Sequence, residues 1–370
     1  QLRQTCLGGK IFVPHLASLA STSLCLDASL LLYAYDLWLQ STRFESQNQG
    51  QIFAQNALVI ESGYLISKSR LEVSPLTGWM AFPYYAYFVT HKDSFEVKNQ
   101  KQQDYLEGTL PQIHEKIKHL QTYLPAALSL KAGRRLEVSG EVVNQHMASV
   151  FEAAEVHLSG VLDLGNLLVK AREVIATSLK GAVDALSLKS QGVSFHAQDF
   201  KTTLFSWLGD FFESQGRLQV SDTLQLGSVK QPAQKITLAG EVMTPEARLH
   251  AQTASVTGTV TAGAMKAKAQ NFSTAATGSI RAGEVALEAD HRFTHEGSLE
   301  AGTVSVKSRV AALNSKIEAE NTNGHEKIEE ESAPKLDIRV ISSFQFQNFF
   351  PHNLLYFFPF VIQSPYLVRH

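Results

Sequence analysis

One stretch, from Gly258 to Ser308, limits what this chain can fold into more than any other. It carries the same phrase three times: Gly258-Thr-Val-Thr-Ala-Gly-Ala-Met-Lys-Ala-Lys-Ala269, Gly278-Ser-Ile-Arg-Ala-Gly-Glu-Val-Ala-Leu-Glu-Ala289 and Gly297-Ser-Leu-Glu-Ala-Gly-Thr-Val-Ser-Val-Lys-Ser308. Successive copies begin 20 and then 19 residues apart, at Gly258, Gly278 and Gly297. A fixed period near 20 residues marks an array in which each unit buries its apolar face against the next.

Within each copy the apolar residues alternate. Two places after the opening glycine stand Val260, Ile280 and Leu299, and seven places after it stand Met265, Val285 and Val304. Thr261, Lys266, Arg281, Glu288, Glu300 and Lys307 fall between the apolar positions. A two-residue period of this kind is a strand with one buried face. Helices this short, restarted at every Gly-Ser or Gly-Thr pair, are disfavoured. The pattern predicts two short strands per coil, stacked at about 4.8 Å into an all-β parallel β-helix, a solenoid. Gly160, Gly258, Gly278, Gly297, Val260, Ile280, Leu299, Val285 and Val304 are its repeat positions. The second glycine of each copy (Gly263, Gly283, Gly302) is expected at a corner, in a backbone conformation with positive φ that glycine adopts freely.

The rest of the chain is read against that phrase. Residues 1–74 form irregular β-helix coils, seen in Gly50-Gln-Ile-Phe-Ala with Leu58 and Ile60, and in Gly63-Tyr-Leu-Ile-Ser with Leu71 and Val73. The apolar run from Leu16 to Leu39 contains Asp27 and Asp36 and alternates around Cys25, so it reads as buried coil, with no transmembrane segment. Residues 75–132 break the pattern. An aromatic cluster lies between Trp79 and Val89, and an amphipathic helix is predicted from Pro111 to Leu124, with Ile113, Ile117, Leu120 and Leu124 on one stripe. This segment reads as a helical and aromatic insertion packed over the coils, with a ligand-binding aromatic patch as the alternative. Coils resume near Leu136, and the main β-helix runs over 133–320; Gly160-Val-Leu-Asp-Leu-Gly repeats the phrase position for position. The bulky run Leu204–Phe212 fits either a short helix or a wide coil. Residues 321–370 read as an acidic linker followed by an aromatic tail rich in Phe and Pro.

Composition narrows the function classes. A net charge of −2 over 370 residues gives no general affinity for nucleic acid. Gln1 and the absence of a leader-like segment before the repeats suggest a piece of a longer protein. The two cysteines, Cys6 and Cys25, lie 19 residues apart, close to one coil, and read as unpaired thiols in preference to a stacked pair. His114 and His119 fall on different faces of the predicted helix, and His291, His295 and His325 read as isolated, solvated side chains. No His-Glu-x-x-His, Gly-x-Ser-x-Gly or phosphate-loop motif occurs. Asp163, Asp184 and Asp199 lack basic partners at matched offsets. No catalytic residue, cofactor or metal is expected.

The segment Glu284–Ser308, and with it Gln40–Ala54, resembles the repeats of filamentous haemagglutinin-like exoproteins, in which Gly-x-Leu-x-Ala is followed by Leu-x-Leu-x-Ala. The likeness covers about half of the chain. It implies a right-handed β-helix belonging to a large bacterial secreted or cell-surface protein. It also implies export through a partner outer-membrane transporter, and use in adhesion, with a host-cell surface or carbohydrate receptor as partner, or as the stalk of a contact-dependent toxin. The resemblance transfers a scaffold and no catalytic residue. A β-helix carbohydrate-active enzyme with a groove beside 75–132, and a truncated non-functional relative, are the alternative readings.

Overall fold

A computed structural model describes residues 5–73, 127–315, 317–326, 339–340 and 344–346, and all its regular structure is β-strand. The chain divides into two compact units, Gln1–Lys189 and Ser190–His370. The first contains β1 (Thr5–Leu7), β2 (Lys10–Leu26), β3 (Leu31–Ser46), β4 (Gln51–Ser67), β5 (Arg70–Val73), β6 (Leu128–Val138), β7 (Glu141–Glu152), β8 (Glu155–Leu158), β9 (Val161–Lys170) and β10 (Glu173–Lys189). The second contains β11 (Gly192–Leu208), β12 (Phe211–Leu226), β13 (Ala233–Leu238), β14 (Glu241–Val256), β15 (Thr259–Thr274), β16 (Ser279–His295), β17 (Ser298–Leu313), β18 (Ile317–Glu326), β19 (Arg339–Val340) and β20 (Phe344–Phe346). Each unit is a β-solenoid in which every described pairing is parallel and joins a strand to the equivalent strand of another coil.

The register explains the repeat. β15 meets β16 with Val260 opposite Ile280 and Met265 opposite Val285; β16 meets β17 with Ile280 opposite Leu299 and Val285 opposite Val304. Val260, Ile280 and Leu299 are 0% exposed. The first unit builds the same kind of column from Leu32, Ile52, Leu71, Val142 and Leu162. A second column runs through Leu39, Ile60, Leu130, Phe151 and Val169. All ten side chains are buried.

Each clean coil has three paired segments, where the sequence pattern predicts two. In β15 they are 259–262, 264–269 and 271–274, and the third pairs with 292–295 of β16. Phe272 and Phe293 face inward there, stacked with ring centroids 6.0 Å apart. His295, expected in solvent, occupies the next inward position at 0% exposure and stacks on Phe293. Differences in coil length are taken up at the corners. One residue (270) separates the second and third segments of β15, while two (290 and 291) do so in β16.

Two further expectations change, and one left open is decided. β6 pairs with β4 from Leu128, whose partner is Leu58, so the coils include residues before 132. The reason is visible in Leu128-Ser-Leu-Lys-Ala132, whose alternate residues Leu128 and Leu130 are fully buried. The predicted helix 111–124 and the aromatic cluster 79–89 lie outside the described residues. The run Leu204–Phe212 is coil, not helix: Phe205, Trp207 and Phe212 point inward, where Phe205 packs on Phe195 and Phe212, and Phe212 on Trp207, at ring separations of 5.2–5.9 Å. Trp207 donates its indole N–H to Ser190 Oγ at 3.2 Å, which satisfies the polar atom of a fully buried ring. Residues 321–326, expected in a linker, continue β18 and pair with 303–308. Backbone pairing asks for no apolar side chain, so polar composition did not prevent it.

Candidate functional site

Because inward positions form the core, anything this fold recognises must meet its outward positions and corners. The repeat residues define the corners first. At Gly278 an added Cβ would lie 2.3 Å from the Val256 carbonyl oxygen, and at Gly263, Gly283 and Gly302 it would lie 2.7–2.8 Å from the carbonyl oxygen of the coil below. At Gly160, Gly258 and Gly297 it would run into the backbone of Gly140, Gly240 and Gly278 respectively. Positive φ belongs instead to Gly9, Gly181, Gly216 and Gly227. The glycines of the clean triplet are therefore required by the approach of stacked backbones, which corrects the expectation of positive φ at Gly263, Gly283 and Gly302. The backbone then bonds from coil to coil: Ser279 N–H donates to Gly258 O at 2.8 Å, and Ser298 N–H to Gly278 O at 3.0 Å.

Outward side chains on the second segment form charge ladders one coil apart. Glu288 accepts from Lys268 at 3.1 Å and from Lys307 at 3.2 Å. Both lysines hold its carboxyl below the ordinary glutamate range, Lys268 most, and Glu288 in turn raises Lys268. Glu246 accepts from Arg248 at 2.8 Å, with Lys266 at 3.7 Å, and is lowered chiefly by the Arg248 hydrogen bond. Burial, with Lys268 and Arg248 adding to it, pushes the His250 imidazole below its usual value. On the first segment Arg281 pairs with Glu300 at 3.3 Å, and Arg217 with Glu241 at 3.5 Å. The first unit repeats the device with Arg70, which binds both Glu72 and Glu141.

Hydroxyl and amide groups form shorter ladders. Ser279 and Ser298 lie 2.9 Å apart, Ser41 and Ser62 3.3 Å apart, and buried Ser69 donates to Ser46 at 2.8 Å. Asn56 donates to the nearly buried Asp36 carboxylate at 2.7 Å. Asp27 caps a corner by accepting the Ser29 N–H at 2.7 Å, and that bond lowers its carboxyl.

Of the acids named from sequence, Asp163 accepts from Gln145 at 2.7 Å; Asp163 and Asp184 lie on β9 and β10 of the first unit and Asp199 on β11 of the second. Among the described residues there is no group of three or more His, Cys, Asp and Glu side chains with metal-ligand geometry. One pair escaped the sequence reading: Ser194 Oγ and His196 Nε2 lie 3.2 Å apart on one outward edge of β11. The carboxylate facing Ser194 on the next coil, Glu213, accepts from Gln215 at 2.7 Å. The signal for such a pair, two polar residues at i and i+2 of a strand, is too common to single it out. Among the described residues no helix is long and apolar enough to cross a membrane.

Comparison of the chain with protein-family models, curated proteins and solved structures gives no match.

Proposed function

We propose that the chain is a structural or adhesive β-helix segment of a secreted or surface-exposed bacterial haemagglutinin-like protein. The observation that carries this reading is how the outward charges are used in the described coils. Carboxylates such as Glu288, Glu246 and Glu300 are engaged by a cation on their own or a neighbouring coil, so their charge is spent on cross-strand pairs. A glycan-cleaving β-helix calls for two carboxyl groups facing one substrate bond. A stalk or adhesin calls only for a rigid, repetitive face.

The repeat phrase at 258–308 supports an exoprotein origin, with an outer-membrane transporter as export partner and a host-cell or carbohydrate receptor as ligand. The direct test is to raise antibody against the coils 258–308 and stain intact cells of the producing organism, before and after external protease treatment. The reading expects protease-sensitive staining of intact cells or release into the medium. Signal that appears only after lysis overturns it. Incubating the purified chain with a polysaccharide panel separates the enzyme alternative: release of new reducing ends would favour that reading, while saturable binding without turnover favours adhesion.

A further inference from the structure

Strand β1 lies on β2 in strict register, with Thr5 opposite Leu24, Cys6 opposite Cys25 and Leu7 opposite Leu26. Leu24 and Leu26 are 1% and 0% exposed and face inward, so Cys25 between them faces outward, on the side where exposed Cys6 stands. Paired neighbours in a sheet are about 4.8 Å apart, inside the Cα separation of about 4.4–6.8 Å that a disulfide spans. Register and facing thus set the two thiols side by side on one outward edge, and both are free cysteines. The chain holds two cysteines, so no competing intramolecular pairing exists.

We propose that Cys6 and Cys25 are a disulfide-forming site that fastens β1 across the Leu24–Leu26 segment of β2 when the protein enters an oxidising compartment. Only the compartment rests on the proposed secreted location; the geometry does not. β1 is three residues long, and a covalent tie supplies what so short a strand lacks. The oxidant is a low-molecular-weight disulfide such as oxidised glutathione. The thiolate of exposed Cys6 attacks it, forming a mixed disulfide and releasing one glutathione thiolate. Cys25 then loses its proton to solvent and attacks the Cys6 sulfur, closing the Cys6–Cys25 bond and releasing the second glutathione. Two electrons pass from the cysteine pair to the glutathione disulfide, which leaves as two thiols. Burial and the neighbouring Cys6 thiol, with Glu45 and Asp27 adding to them, push the Cys25 thiol up to about 11, which lowers the share of Cys25 thiolate available for the second step.

The test equilibrates the reduced full chain with mixtures of reduced and oxidised glutathione, folded and in concentrated urea. Samples are quenched in acid and read by intact mass and thiol alkylation. The folded chain is expected to lose two hydrogen atoms and resist alkylation at glutathione ratios roughly a hundredfold more reducing than the unfolded chain requires, the factor corresponding to closure of a loop of about 20 residues. Equal ratios in the two states, a persistent mixed disulfide on Cys6, or a disulfide-linked dimer overturns the proposal. Hydrogen exchange at Thr5–Leu7 supplies the second readout. Oxidation should slow it in the native chain and leave it unchanged in Cys25→Ser, and equal exchange in the oxidised and reduced native chain refutes the fastening role.

Discussion

Replacing Ile280 by alanine probes the interior column where it is best defined. Ile280 is 0% exposed and sits between Val260 and Leu299 on the neighbouring coils. The substitution deletes three buried carbons, worth about 0.8 kcal/mol each, and leaves a cavity between Val260 and Leu299, which the coil-to-coil backbone pairing holds in place. The sum is about 3–4 kcal/mol, within the range measured for Ile→Ala in protein cores. The neighbouring substitution Arg281→Ala shifts the perturbation by one residue and so moves it to the opposite side of the strand. The Arg281 side chain is 61% exposed and paired only at the surface with Glu300, so its loss is worth at most about 0.5 kcal/mol. Stacked repeats need not unfold in one step. Backbone hydrogen exchange over β15, β16 and β17 is therefore a better assay than a single melting curve. Exchange there should accelerate at least a hundredfold in Ile280→Ala and about twofold or less in Arg281→Ala. Similar acceleration in both variants would refute the assignment of one inward and one outward face.

Three other perturbations follow from the same geometry. Gly278→Ala forces a Cβ to 2.3 Å from the Val256 carbonyl and should destabilise the second unit by about 2 kcal/mol or more, whereas Gly192→Ala meets no atom within 4 Å and should be neutral or stabilising; urea titration of the pair decides it. Phe293→Ala removes a fully buried ring that stacks on Phe272 and His295, and should cost about 3–5 kcal/mol, read as a lowered urea midpoint. Glu288→Gln tests the charge ladder. Folding lowers the Glu288 carboxyl, so its contribution is present above the ordinary glutamate range and disappears as pH falls through the lowered value. With its side chain 35% exposed, that contribution is discounted for solvent screening to about 0.3–1 kcal/mol and shrinks in salt. The stability gap between native chain and variant should close in acid, and a gap independent of pH would contradict the ladder.

How far the sequence could be read depended on whether each feature needed side chains to declare itself. The positions of Val260, Ile280 and Leu299 were legible because an apolar residue recurs at one offset from a glycine. The third segment was not. It is four residues long, one of its two inward positions holds Thr274 or His295, and a corner of variable length shifts its phase from coil to coil. The glycines were identified correctly as corner residues but for the wrong reason, since approach of a neighbouring backbone leaves no trace in a single coil's sequence. Residues 321–326 were hidden because they join the sheet through backbone groups while carrying polar side chains. The outward ladders were half visible: Lys268, Glu288 and Lys307 recur at one offset, but their signs acquire meaning only once the register is known.

The central claim is that aliphatic side chains one coil apart stack directly on one another. Nuclear Overhauser contacts among selectively labelled methyl groups of Val260, Ile280 and Leu299 measure this without reference to function. Ile280 should contact both of the others, while Val260 and Leu299, two coils and about 9.6 Å apart, should show a much weaker contact. Strong contact between Val260 and Leu299, or none from Ile280 to either, would contradict the stacked-coil account.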